Sequence, residues 1–131
     1  DIVLRGLYRV RPIEVVQEFP YRKARVEVLP EILTEGTAKV QRMTENLMSE
    51  FKKIDPEGLN LLESEEPDFT EIVNHIANQL PMELETRFEL LKIDDVYLRA
   101  EAVYELLSKR ISALDWTRRF EHLRPEDPNQ N

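Results

Sequence analysis

The chain has 131 residues, which fits one domain, and its formal net charge of −8 opposes general binding to nucleic-acid phosphates. It contains no cysteine, which excludes disulfides, thiolate chemistry and cysteine-ligated metal sites. No apolar run approaches the roughly 18 residues of a membrane-spanning helix and no signal peptide is visible, so we expect a cytoplasmic protein that binds neither membranes nor nucleic acid.

The first thirty residues predict a long β-hairpin. Residues 1–19 are dense in β-branched and aromatic side chains, and Gly6 among them suggests a bulge or a close backbone approach. Residues 22–29 alternate as in a half-buried strand, which Pro30 ends. The apolar positions of that strand are Ala24, Val26 and Val28. Because an isolated hairpin is marginal in water, we expect the other strands of its sheet upstream of Asp1 or from another chain.

The apolar period then changes to that of helices. A first helix is predicted from about Thr37 to Lys53, and the break follows at residues 55–58. Its inward stripe is Val40, Met43, Leu47, Phe51 and Ile54. Asp68 followed by Glu71 resembles a capping box and predicts the start of a second helix. The stripe of that helix is Phe69, Ile72, Val73, Ile76, Ala77 and Leu80.

Two more helices are predicted after the second. Pro81 stops the second helix and is expected in the first turn of a short third helix. The residues predicted to face inward there are Leu84, Phe88 and Leu91. Asp94 is the expected N-cap of the last helix, which places Arg99 and Glu101 on its solvent-exposed face. The core stripe of the last helix is Val96, Ala100, Val103, Leu107, Ile111 and Leu114. Strands followed by helices indicate an α+β fold.

Three segments, in this serial order, resemble the N-terminal domain of Lon proteases. Residues 1–12 (DIVLRGLYRVRP) resemble a late strand of that domain, and residues 20–31 (PYRKARVEVLPE) resemble the next strand, with its Pro-Tyr start and Leu-Pro-Glu end. Residues 69–111 resemble the helical lobe, in which a helix ends at Leu-Pro and Arg leads a long final helix. The resemblance covers residues 1–114.

The resemblance implies a β-rich pseudo-barrel lobe joined to a four-helix lobe. On that basis residues 1–30 would be the last strands of the barrel, residues 31–115 the helical lobe and residues 116–131 a C-terminal tail. It also implies a substrate- or partner-recognition module that binds unfolded or degron-bearing proteins. We expect a stand-alone Lon-domain protein without its first strands, because Trp116, Phe120 and a proline-rich end follow where Lon continues towards its ATPase.

The residues that most often carry chemistry have structural interpretations here, so we expect no enzyme activity, cofactor or metal. No glycine is followed by Lys, as a phosphate-binding loop requires. Ser108 and Lys109 are neighbours that point apart on a helix. We interpret His75 as a boundary residue beside a core stripe rather than a ligand or base, and the pair Asp94-Asp95 as a helix cap rather than an acid–base pair.

Five hairpin residues are candidates for partner binding: Phe19, Tyr21, Arg9, Arg11 and Arg25. If the two aromatic residues are exposed at the hairpin tip, they form an apolar patch suited to unfolded chains; if they fold back, they belong to the core. The arginines either read acidic segments of a partner or pair with Glu14 and Glu27 across the strands.

Two functions of different classes remain open, and the resemblance to the Lon domain implies the first. The favoured one is client recognition through shallow apolar contacts. The alternative is a structural or oligomerisation module without client binding, which would self-associate through Trp116 and Phe120.

Overall fold

The computed structural model describes Ile2, residues 4–62 and residues 66–121. The elements run in the order β1 (Val10–Gln17), β2 (Lys23–Val28), α1 (Thr37–Ile54), a 3-10 turn (Gly58–Leu61), α2 (Phe69–Gln79), α3 (Leu84–Leu91) and α4 (Val96–Phe120). A hairpin followed by four helices is the predicted α+β order, so that prediction is confirmed.

The two faces of the hairpin differ in chemistry. In the antiparallel ladder Val10 lies opposite Val28 and Pro12 opposite Val26, and directly opposed residues share a face. The other face carries two pairs of opposite charge, in which Arg11 lies opposite Glu27 and Glu14 lies opposite Arg25. Every residue of β2 is exposed, so the prediction that one face of this strand is half-buried is wrong. None of the described residues covers that face.

The first strand is shorter than predicted. It begins at Val10, and residues 4–9 have no regular secondary structure because they meet no partner strand among the described residues. A Cβ built at Gly6 would meet nothing within 4 Å, so none of the described segments approaches the backbone closely there. The irregularities of the ladder fall later, where Ile13 and Val16 are the extra residues of two register shifts.

The hydrophobic core lies in the helical lobe, where α1 and α2 both pack against α4. The predicted range and inward stripe of α1 are confirmed, and Leu47 and Phe51 are its fully buried members. Asp68 begins α2 as predicted, since its Oδ1 accepts a hydrogen bond from the backbone N–H of Glu71 at 2.8 Å. The largest fully buried side chains are Phe51, Leu47, Ile76, Leu107, Val73, Val96 and Val103.

Helix α3 differs from its prediction in start and orientation. It begins at Leu84 after an N-cap at Glu83, so Pro81 lies ahead of its first turn. The residues predicted to face inward, Leu84, Phe88 and Leu91, are exposed. Leu90 is instead the buried residue, because it packs with the core residues of α4 and with Met82 and Ile93 at either side of the helix.

Helix α4 also differs from its prediction at both ends. Its N-cap is Asp95, and the predicted cap Asp94 contacts an arginine instead. The helix continues through Phe120, so the first residues of the predicted tail are helical, while the predicted proline-rich end lies outside the described residues. Within residues 4–62 and 66–121, no helix combines the length and apolarity needed to cross a membrane.

Candidate functional site

A buried arginine organises the junction between the hairpin and the helices. The prediction that Arg99 lies on the solvent-exposed face of α4 is wrong, because the residue is only 2% exposed. Its guanidinium donates to the Glu31 carboxylate at 3.1 and 3.3 Å, to Asn74 Oδ1 at 3.0 Å and to the backbone carbonyl of Ile93 at 2.6 Å. Burial of this cation is tolerated because a carboxylate and several oxygens replace its water shell.

Glu31 joins Arg99 to a second arginine. Its Oε1 also accepts from Nε of Arg9, whose side chain is only 9% exposed. Arg9 Nη1 donates to Asp94 Oδ1 at 3.1 Å and to the backbone carbonyl of Leu91 at 2.8 Å. Two arginines and two carboxylates therefore form a network without net charge, which we call the junction network (Arg9, Glu31, Asp94, Arg99).

The junction network fixes both ends of the hairpin to the helices. Arg9 comes immediately before β1, and its carbonyl accepts from the backbone N–H of Leu29, just after β2, at 2.9 Å. The following segment docks on the start of α4, where Ile32 N–H donates to the Asp94 carbonyl at 3.0 Å and Val96 N–H donates to the Ile32 carbonyl at 2.8 Å. The position of the hairpin is thus set by charged and backbone contacts rather than by core packing.

The N-cap of α4 lies beside this network. The Thr34 hydroxyl donates to Asp95 at 2.7 Å, and the backbone N–H groups of Tyr97 and Leu98 donate to the same carboxylate. The Thr34 bond is the main reason that the pKa of Asp95 lies below its usual value of 3.8; desolvation opposes the shift, while the two N–H groups and Arg99 add to it.

The lowered pKa predicts how Asp95→Asn should behave. Because the folded-state pKa is depressed, the charged form contributes stability above pH 3.8 that is lost as the pH falls through the folded-state value. Asparagine keeps a capping oxygen but not the charge. We therefore expect the variant to unfold more easily than the wild type at pH 6, with the difference shrinking below pH 3.8. Urea titrations across this range measure it; a difference that widens in acid contradicts the assignment.

An open groove of about 840 Å³ lies next to the junction network. One wall is the irregular segment 4–9, and the floor is the outer face of α2, which presents Asn74 and Asn78. Arg87 and Leu91, from α3, line the end of the groove. A groove lined by both apolar and polar side chains can hold a bound ligand or peptide.

His75 lies at the edge of the same groove but is held by the core. Its Nε2 is 2.7 Å from the backbone carbonyl of Gly58, and its ring meets the Phe51 ring edge-on with centroids 6.4 Å apart. With these contacts, His75 lies at the boundary between the hydrophobic core and the groove. No cluster of three or more metal-ligating side chains occurs within the parts of the chain that the structure describes.

The structure brings only some of the predicted partner residues together. Phe19 and Tyr21 share the hairpin tip and are 87% and 60% exposed. Arg25 pairs with Glu14 at 3.1 Å on the charged face, which is the cross-strand pairing considered above. Arg11 lies on that face too, opposite Glu27, whereas Arg9 is part of the junction network.

The comparison with known proteins covers both the hairpin and the helices. Residues 1–109 match the family model of the ATP-dependent protease La (LON) substrate-binding domain. The chain belongs to this family. The match spans the hairpin, the junction network, the groove and most of α4.

Curated relatives are Lon proteases from several bacteria. "Lon protease" of Koribacter versatilis (strain Ellin345) is 29% identical over 119 residues, covering 84% of this chain and 14% of that protein. "Lon protease" of Dictyoglomus thermophilum is 30% identical over 122 residues, covering 87% of this chain and 15% of that protein. "Lon protease 2" of Myxococcus xanthus is 29% identical over 120 residues, covering 84% and 14%. The chain thus spans about a seventh of the length of these relatives.

Sequence patterns alone did not single out two parts of this substrate-binding domain. The junction network joins residues 22 to 85 positions apart, such as Arg9 with Glu31 and Arg9 with Asp94, so no local spacing reveals it. Asn74 and Asn78 did carry a signal, since polar residues one turn apart opposite the apolar stripe of α2 mark its outer face.

Proposed function

We propose that the chain recognises exposed apolar segments of unfolded or degron-bearing protein clients and performs no chemistry itself. Membership of the substrate-binding domain family supports this, as does one structural observation. The hairpin exposes a continuous apolar face and an aromatic tip, while the charge pairs of its other face remain hydrated. The proposed setting, the cytoplasm, rests on the family resemblance alone.

The proposed contact is shallow. The apolar face offers Val10, Val15, Val26 and Val28 at once, and the exposed Phe19 lies at the tip of the same hairpin. Apolar contacts of this kind do not depend on a particular sequence, because the hydrophobic effect scales with buried area rather than with direction. A single shallow contact of this kind binds weakly.

Substituting both tip aromatics tests the proposal. We expect the double variant Phe19→Ser/Tyr21→Ser to bind unfolded protein at least about thirtyfold more weakly, because each of the two aromatic anchors buries apolar area worth about 1 kcal/mol or more. Fluorescence anisotropy with labelled, reduced and alkylated α-lactalbumin measures the affinity. Both side chains are exposed, so circular dichroism should show unchanged helix content.

A matched control for this experiment is Phe120→Ser, which removes an aromatic side chain from the far end of α4. Client affinity should be unaffected by it. Equal affinities of the wild type and the tip variant, or no measurable client binding by the wild type, would contradict the proposal.

The alternative, a self-association module, is favoured by one observation. The rings of Trp116 and Phe120 pack against each other near the end of α4 at an angle of 45°, with centroids 5.1 Å apart, and both residues are exposed. An aromatic pair of this kind suits a helix–helix contact between two copies. Sedimentation of the wild type and of Phe120→Ser separates the two functions: a dimer that the substitution dissociates supports the alternative, and a monomer at all concentrations opposes it.

A further inference from the structure

Two asparagines on the floor of the groove have their amide groups oriented by arginines. Asn74 Oδ1 accepts from Arg99 Nη1 at 3.0 Å, and Asn78 Oδ1 accepts from Arg87 Nη1 at 3.5 Å. A guanidinium only donates hydrogen bonds, so the oxygen of each amide must face its arginine. Each –NH2 group is consequently turned away from its arginine, and neither donates to another described residue.

The spacing of these two donors matches an extended peptide. Asn74 and Asn78 are four residues apart on α2, so they lie on one face with Cβ atoms about 6 Å apart. In an extended chain the carbonyls that point to the same edge belong to residues i and i+2, which are about 6.6 Å apart. Two neighbouring carbonyls on one edge of a strand can therefore meet both donors.

We propose that the groove along α2 binds an extended client segment by its main chain, with the amide nitrogens of Asn74 and Asn78 donating to two carbonyls of that segment. This inference rests on the proposed function and names a second subsite of it, distinct from the hairpin tip. The occupant is a stretch of unfolded polypeptide, since a folded chain already uses its carbonyls in its own secondary structure.

The surroundings of the donors fit this occupant. Leu4 and Leu7 line the opposite wall and Leu91 lines the end, so client side chains meet apolar surface while the main chain meets the amides. The arginine cations of the junction network are already paired with Glu31 and Asp94, so these two arginines make no strong demand for an acidic peptide. Recognition through main-chain carbonyls is independent of client sequence.

The test removes the donors and keeps the acceptors. In the double variant Asn74→Asp/Asn78→Asp the carboxylate oxygens still accept from Arg99 and Arg87, so the fold is retained while both –NH2 groups are lost. The matched control is Asn46→Asp/Asn60→Asp, which makes the same chemical and charge change at exposed positions that do not line the groove. Binding to the full chain is measured with two uncharged twelve-residue peptides of unrelated sequence, each alternating apolar and polar residues.

We expect both peptides to bind the wild type and the control with similar affinity, and the Asn74/Asn78 variant about tenfold more weakly, as the loss of two hydrogen bonds implies. The side-chain amide NMR signals of Asn74 and Asn78 should shift when either peptide is added. Equal affinity of the variant and the control overturns the inference while leaving client recognition intact, and so does binding of one peptide but not the other. If neither peptide binds the wild type while unfolded α-lactalbumin does, the groove inference fails alone; if nothing binds, the proposed function fails as well.

Discussion

Replacing Glu31 with alanine should lower the free energy of unfolding by about 3 kcal/mol, a large effect for a side chain that is 38% exposed. The exposed fraction of Glu31 understates its role because Arg99, its partner, is almost completely buried. Removing the carboxylate leaves that cation in a low-dielectric site with only neutral oxygens, and the cost of burying an uncompensated charge exceeds the loss of a surface ion pair. Arg9 loses a partner at the same time.

Urea unfolding followed by circular dichroism measures this loss. The matched control is Glu14→Ala, which removes the carboxylate from an exposed pair with Arg25 and should cost no more than about 0.5 kcal/mol. The double variant Glu31→Ala/Arg99→Met should lose less than the sum of its two single variants, because no buried charge remains. Similar losses for Glu31→Ala and Glu14→Ala would contradict the structural role of the junction network.

The arginine in this network shows what periodicity could and could not predict. Arg99 is three residues after Val96 and four before Val103, so its position lies on the core stripe of α4. Its charge suggested a solvent-exposed side chain, since Arg is rarely buried unless it is paired. The partner that permits burial, Glu31, is 68 residues away, and no local pattern in the sequence connects the two.

Helix length decided which stripes were predicted correctly. Helix α1 has 18 residues, enough for its repeating apolar positions to define one face, and its inward residues were identified correctly. Helix α3 has eight residues, and Leu90 and Leu91 are both apolar, so two different faces fit its sequence equally well. Only packing against α4 makes Leu90 the buried one.

The caps and the hairpin show the same limit. Asp94 and Asp95 are equivalent as caps in sequence, and tertiary contacts separate them, because Thr34 bonds to one and Arg9 to the other. The hairpin itself was predictable from alternation, whereas its exposure depends on what lies around it. The sequence therefore placed Phe19 and Tyr21 at a hairpin tip but left their exposure open, and it did not indicate the groove, which joins distant segments.

The helical lobe should depend strongly on Phe51, and Phe51→Ala should lower the free energy of unfolding by about 4 kcal/mol. The ring is 1% exposed at the centre of the core. Its edge lies so close to Gly58 that a Cβ built there would be 2.7 Å from Phe51 Cε1. The 3-10 turn thus packs directly on the ring. Removing the Phe51 ring leaves a cavity that this short turn cannot readily fill.

Phe88→Ala provides the comparison, since it makes the same substitution on α3 where the ring is 57% exposed. We expect a loss within about 0.5 kcal/mol there, as for most surface substitutions. Thermal and urea unfolding of the two variants measure the contrast. Equal losses would mean that Phe88 is packed as the sequence pattern predicted and that α3 presents a different face to α4. A large loss of stability at Phe51 alone instead supports the arrangement in which the core lies under the 3-10 turn. In that arrangement the Phe51 ring also packs against His75, whose Nε2 bonds to the Gly58 carbonyl.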